Sequence, residues 1–188
     1  MDLRSWIVAD IDSLHGRLEK GVVGLMPAAR WRERVDGGGL APVSIAWHVA
    51  RHHDVAVNAV VRGVPEVLDD WRDEVGISGD TWRGLSESED LDLVDELDPE
   101  GVGRYLLAVL EGSIAWLTVN ALPDLSAVPD SATALLALGT PVDSFDWLYK
   151  MWDGKPVSFY LRWEAIGHGY NHLGELTSIR NRMGLRSF

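Results

Sequence analysis

An all-α bundle is the fold that the sequence predicts, and three observations predict it. Apolar residues recur at spacings of three and four in four long segments, no stretch alternates with the two-residue period of a strand, and no unit repeats along the chain. At 188 residues, 46% hydrophobic and 24% charged, the chain fits a single domain, 1–188, with room for a sizeable core.

The first helix is marked by Leu3, Ile7, Ile11, Leu14, Leu18, Val22 and Leu25, whose spacings keep them on one face. Pro27 and the run Gly37-Gly38-Gly39 punctuate the connection that follows. A second helix is predicted over 42–62, with Pro42 in its first turn, where a missing N–H does no harm, and Gly63 and Pro65 ending it. Val102, Leu106, Leu110, Ile114, Leu117 and Ala121 mark a third, stopped at Leu122-Pro123-Asp124. The stretch 124–155 mixes Pro, Gly and Asp with one apolar run, 132–138, and is read as loop with a short helix. Pro156 opens a fourth long helix reaching residue 183, with Gly184 as its C-terminal cap and Arg180 and Arg182 complementing the negative end of its dipole. Two long connections among four helices argue for crossovers rather than successive hairpins.

The net charge of -12 is local: 66–100 holds fourteen acids against Arg72 and Arg83, and the remainder balances fifteen acids with fifteen bases. That block reads as a solvated surface connection. It repels phosphate, and the chain has no basic stripe, so no nucleic-acid partner is expected. With no cysteine, the chain forms no disulfide and supplies neither a thiolate ligand nor its own thiol nucleophile. Charged residues interrupt the apolar start (Asp2, Arg4), unlike a signal peptide, and no apolar run approaches membrane-spanning length, so no membrane partner and a cytoplasmic location are expected.

Histidine is the informative residue type. The inward stripe of the fourth helix reads Leu161, Ala165, His168, His172, Leu176, Ile179 and Met183, so two imidazoles one turn apart occupy core positions on one face, which suits two ligands of one ion. Gly167 and Gly169 flank the first, either for close packing or for a ligand's approach. Helix two repeats the pattern, with Ile45, His48, His52, Ala56 and Ala59 on one face and His53 one position round. If the two faces oppose each other, a third imidazole joins the pair and leaves a coordination position for water or substrate. Ligation by His52 or His53 stays open, and His15 reads as an ordinary boundary residue. Other metal motifs do not match: Gly169 stands where a zincin carries Glu after its first His, and Glu164 precedes His168 by four rather than the three of di-iron bundles. Neither a phosphate-cradling glycine loop nor a Gly-x-Ser-x-Gly elbow is present.

Trp47-His48-Val49 in the second helix and His168-Gly-Tyr-Asn-His172-Leu-Gly-Glu175 in the last, followed by Ile179-Arg180 and Met183-Gly184, resemble the DinB-like superfamily, especially its mycothiol-dependent metalloenzyme branch. The resemblance extends over nearly the whole chain as helix order. It implies a four-helix bundle with a long crossover, a ligand triad of His48, His168 and His172, and zinc, nickel or a similar divalent ion. The branch contains thiol S-transferases and a maleylpyruvate isomerase that use a low-molecular-weight thiol, and a chain without cysteine would borrow its thiolate in that way. Similar bundles form homodimers, although no residue set here demands one.

Within that reading, Glu164 is the candidate to relay a proton, and Glu164 or Glu175 the candidate to orient a ligand, each weighed against a solvated surface carboxylate. Trp47, Trp147, Trp152 and Trp163 read mainly as core, with some available to line a pocket. Two functions follow. One is a metal-dependent transferase that joins a small thiol such as mycothiol to an electrophile, or an isomerase using that thiol. The other is a non-catalytic metal-binding module, whose site would be closed by a fourth protein ligand, best supplied by His52.

Overall fold

The computed structural model describes residues 2–86 and 91–185. Among the described residues there is no strand, and all four apolar-periodic segments are helical, so the fold is all-α. Helix α1 (Leu3–Leu18) starts where the Asp2 carboxylate accepts the Ser5 N–H, and it continues through a π-helical stretch (Glu19–Val23). Helix α2 (Pro42–Asp54) likewise runs into a π stretch (Val55–Arg62) and ends at Gly63, whose φ of 61° a side chain would resist. Two short helices follow, α3 (Leu68–Val75) and α4 (Leu91–Glu96). Asp98 caps α5 (Pro99–Val119), which ends before Ala121, so that residue lies beyond the helix its spacing had placed it on. After α6 (Ser131–Ala137) and α7 (Val142–Trp152), one continuous helical path forms from α8 (Val157–Phe159), a π stretch (Tyr160–Gly167) and α9 (His168–Arg182).

Helices α1 and α2 both pack on α5, and α9 packs on both α2 and α1. The main core lies between them, with Ile7, Ile11, Leu14 and Leu18 meeting Leu106, Val109 and Leu110 of α5 and Leu176 of α9. The sequence reading that no apolar run approaches membrane length needs correction for α5, which is long and apolar enough to span a bilayer by length and composition. Its apolar character serves the core, because Val102, Tyr105, Leu106, Val109 and Leu110 are fully buried and the helix packs on α1, α2 and α3.

The acidic segment is also more than a solvated connection. Leu68, Val75, Ile77, Leu93 and Leu97 from it are buried in the main core, and Glu66 is buried in a 2.6 Å ion pair with Arg51 Nη1. Buried Asp54, at the end of α2, accepts the Val67 and Leu68 N–H groups at 3.0 and 2.9 Å and the Tyr105 hydroxyl at 2.7 Å, so it caps α3 from a neighbouring helix. Only the outward carboxylates, such as Asp92 and Asp95, fit the solvated description; residues 87–90 of the segment lie outside the described ones.

A second correction concerns 124–155, which holds two helices rather than one. Leu135 of α6 and Phe145, Leu148 and Trp152 of α7 join Val55, Ala56, Val60, Trp82, Leu85 and Tyr160 in a smaller core. That cluster seats α7 against the π stretches of the second and last long helices, beside the histidines.

Candidate metal centre

The four-residue spacing that put His48 and His52 on one face of α2, and His168 and His172 on one face of α9, becomes a cluster because those two helices pack together. Gly169 allows a close approach on the other side of α9: a Cβ there would sit 2.4 Å from Leu14 Cδ2 of α1. Its role is packing, which settles the alternative left open for the flanking glycines at that position.

Three ring nitrogens converge. His48 Nε2 lies 3.0 Å from His168 Nε2, and His172 Nε2 lies 3.1 Å from the same atom. The other nitrogen of each outer ring is engaged: His48 Nδ1–H donates to the Gly84 carbonyl at 3.2 Å, and His172 Nδ1–H donates to Glu175 Oε2 at 3.0 Å. These partners hold the ring proton on Nδ1 and leave a lone pair on each Nε2. His168 Nε2 offers at most one proton to two facing lone pairs. A cation among the three resolves that repulsion, and nitrogens about 2.0–2.1 Å from one ion stand about 2.8–3.4 Å apart, depending on whether the angles are octahedral or tetrahedral.

The electrostatics favour neutral, ligating imidazoles. Burial, followed by the neighbouring His52 and His172, pushes the His48 imidazole down to about 3. Burial and then His52 and His48 push that of His168 down to about 2. Near neutral pH both rings therefore carry free lone pairs.

Beside this triad lies a second donor set. His52, Glu164 and His168 each offer a ligand atom, all within 4.8 Å of one another. Glu164 is only 1% exposed, which corrects its reading as a solvated surface carboxylate; it lies in the π stretch of the last long helix, three residues after buried Leu161 and four before His168. Its Oε1 accepts the Trp152 indole N–H at 2.7 Å, while Oε2 faces His52 Nδ1 at 3.4 Å. His52 Nε2–H donates to the Leu85 carbonyl at 3.0 Å. His52 is therefore turned toward Glu164, and the triad is not closed by it as a fourth ligand. Buried His53 bonds Ser113 Oγ at 2.8 Å, and His15 pairs with Glu111 at 3.1 Å, so neither belongs to the cluster. Glu175 is the exposed carboxylate of the two, and it orients His172.

A cavity of about 370 Å³ opens beside the centre, lined by His48, His52, Glu164 and His168 together with Leu85, Ser86, Trp147, Met151 and Trp163. Trp147 and Trp163 are thus walls rather than core, whereas Trp47 and Trp152 are fully buried. Sequence reasoning missed the 84–85 backbone that orients two histidines. The φ of 78° at Gly84 and its contact with Trp47 and Leu93, 2.8 and 2.7 Å from an added Cβ, explain why glycine stands there, but a carbonyl ligand partner leaves no side-chain signal.

No family model and no curated protein matches the chain. Among solved structures it is similar to a conserved protein from Enterococcus faecalis, with a TM-score of 0.67 and 17% identity, covering 98% of this chain and 99% of that one. The likeness covers the whole all-α fold, and it speaks for the fold alone.

Proposed function

We propose that the chain is a DinB-like four-helix bundle that binds one divalent metal ion through His48, His168 and His172 and uses it in the transfer of a low-molecular-weight thiol to a small electrophile. The observation that carries the metal is the convergence of three Nε2 atoms, two of them on rings, His48 and His172, whose proton is held on Nδ1 by Gly84 and Glu175. The enzymatic half draws on two further points: His48 and His168 both line the cavity, so the ion would have an open side, and a chain without cysteine has to obtain any thiolate from outside. Zinc or nickel bound there would favour the thiolate form of an incoming thiol.

What this chain's residues contribute is positioning. Gly84 and Glu175 fix the ring orientations, and Trp147, Trp163, Met151 and Leu85 exclude water around the open side. The apolar walls suit the electrophile better than a sugar-bearing thiol such as mycothiol. That partner is expected to reach the ion with its sulfur while its polar body stays outside.

Elemental analysis of the purified protein decides the site. His48→Ala, His168→Ala and His172→Ala are expected to lose most bound metal, each leaving two nitrogen donors, while His15→Ala and His53→Ala retain it. Loss in His52→Ala and Glu164→Gln with retention in His48→Ala and His172→Ala would instead put the ion on the second donor set. Cobalt-substituted protein is expected to change its visible spectrum on titration with a thiol and to turn over a thiol–electrophile pair. With no spectral change and no turnover, a non-catalytic metal module is the better account.

A further inference from the structure

The cavity beside the triad contains more polar chemistry than three metal ligands use. Among the described residues, three of its side chains have a buried atom with no hydrogen-bond partner: Glu164 Oε2, His52 Nδ1 and His168 Nδ1. All three side chains are nine-tenths or more buried. Such atoms are scarce in native interiors, because burying one unpaired forfeits the hydrogen bond it made to water.

Two of them are acceptors by construction. Trp152 occupies Glu164 Oε1 and leaves Oε2, which as part of a carboxylate only accepts. The Leu85 carbonyl takes His52 Nε2–H, so the neutral ring keeps its lone pair on Nδ1. These acceptors stand 3.4 Å apart without a hydrogen bond between them, and apart from His48, His168 and Ser86 the rest of the lining, Leu85, Trp147, Met151 and Trp163, is aromatic or aliphatic. A group presenting hydrogens to both would satisfy the pair.

We propose that the cavity recognises a neutral small molecule with an aromatic or aliphatic body and a hydrogen-bond-donating head: a carboxamide NH2, whose two hydrogens serve both Glu164 Oε2 and His52 Nδ1, or a hydroxyl, whose single hydrogen serves one of them. The proposal deepens the enzymatic reading and rests on it for the identity of the pocket as the electrophile's site. Anions are disfavoured by the Glu164 carboxylate. A volume of about 370 Å³ limits the ligand to roughly one or two rings. Specificity should be sharp at the head, since a site built to receive a donor rejects the analogue without one.

Calorimetric titration of the metal-loaded protein with matched probes tests this: benzyl alcohol against benzyl methyl ether, and benzamide against N,N-dimethylbenzamide. The donor-bearing member of each pair is expected to bind about tenfold or more tighter. Glu164→Gln can keep an oxygen on Trp152 while turning an NH2 toward the ligand, and the preference should collapse with metal content unchanged. Equal binding within each pair, binding of neither member, or metal loss in Glu164→Gln would each overturn the proposal. The wild-type comparison stands even if the variant does not fold. Wild-type protein that purifies and reconstitutes without metal would sink the functional reading instead.

Discussion

At His48 the direction of the imidazole depends on a residue that carries no side chain. The Gly84 carbonyl holds His48 Nδ1–H, and it sits there because φ at Gly84 is 78° and its Cα lies against Trp47 and Leu93. Gly84→Ala introduces both a backbone conformation that alanine resists and a Cβ inside two packed side chains, at a stability cost of roughly 1–3 kcal/mol. It should also swing the carbonyl away from His48 and weaken metal affinity about 10- to 100-fold, as other losses of an orienting partner do. Competition with a coloured chelator measures this, and unchanged affinity would show that His48 orients without Gly84. His168 and His172 stood out in the sequence because polar residues occupied apolar registers, and the second helix offered His48 and His52 on the same ground; the resemblance, not the register, pointed to His48. The inward position of Glu164 was open to the same reading, since it lies three residues after Leu161 and four before His168, but a carboxylate on a long helix weighed toward solvent. His52 was legible as a core residue but not in its direction, since that is set by the Leu85 carbonyl, thirty-three residues away.

At the scale of elements, the four long helices were legible because each carries a stripe at helical spacing that is apolar except where the histidines enter it. Helices α3 and α4 were hidden by charge: their few inward residues, Leu68, Val75, Leu93 and Val94, are scattered among acids, so the block reads as solvent-facing. Helix α7 did show Phe145, Leu148 and Trp152 at spacings of three and four, but Pro141 before it, Gly154 after it and aspartates within it weighed toward loop. Beyond buried Leu68 and Val75, polar contacts secure α3. Arg51 is fully buried, its charge answered by Glu66 at 2.6 Å and by more distant Asp54 at 3.9 Å. Glu66→Gln leaves that guanidinium underpaired and should cost about 3–5 kcal/mol in urea denaturation. Asp92→Asn and Asp95→Asn, on exposed positions of α4, should stay within about 0.5 kcal/mol and leave metal content unchanged. Equal effects at Glu66 and at the exposed aspartates would mean that the buried pair contributes nothing specific.

Across the whole molecule, the triad ties α2 to α9, elements 120 residues apart at His48 and His168. An ion that binds only the folded chain adds stability by mass action, about 2.7 kcal/mol at a free concentration one hundred times its Kd. Chelation should therefore lower the melting temperature by several degrees, and the shift should vanish in His172→Ala; a chelator effect that persists in that variant would place the stabilising ion elsewhere. The separation in sequence also sets an order of events during synthesis. At about 5–20 residues per second, His48 leaves the ribosome roughly 6–24 s before His168, and α5 is complete about 2–10 s before α9 begins, so α2 can meet α1 and α5 first. No three-nitrogen site is available in that interval, because the nascent chain holds only the first of its ligands. On the proposed function, metal capture is thus a closing step of folding. A cell short of the ion would accumulate a chain whose last long helix has docked without it, rather than one stalled at an early stage.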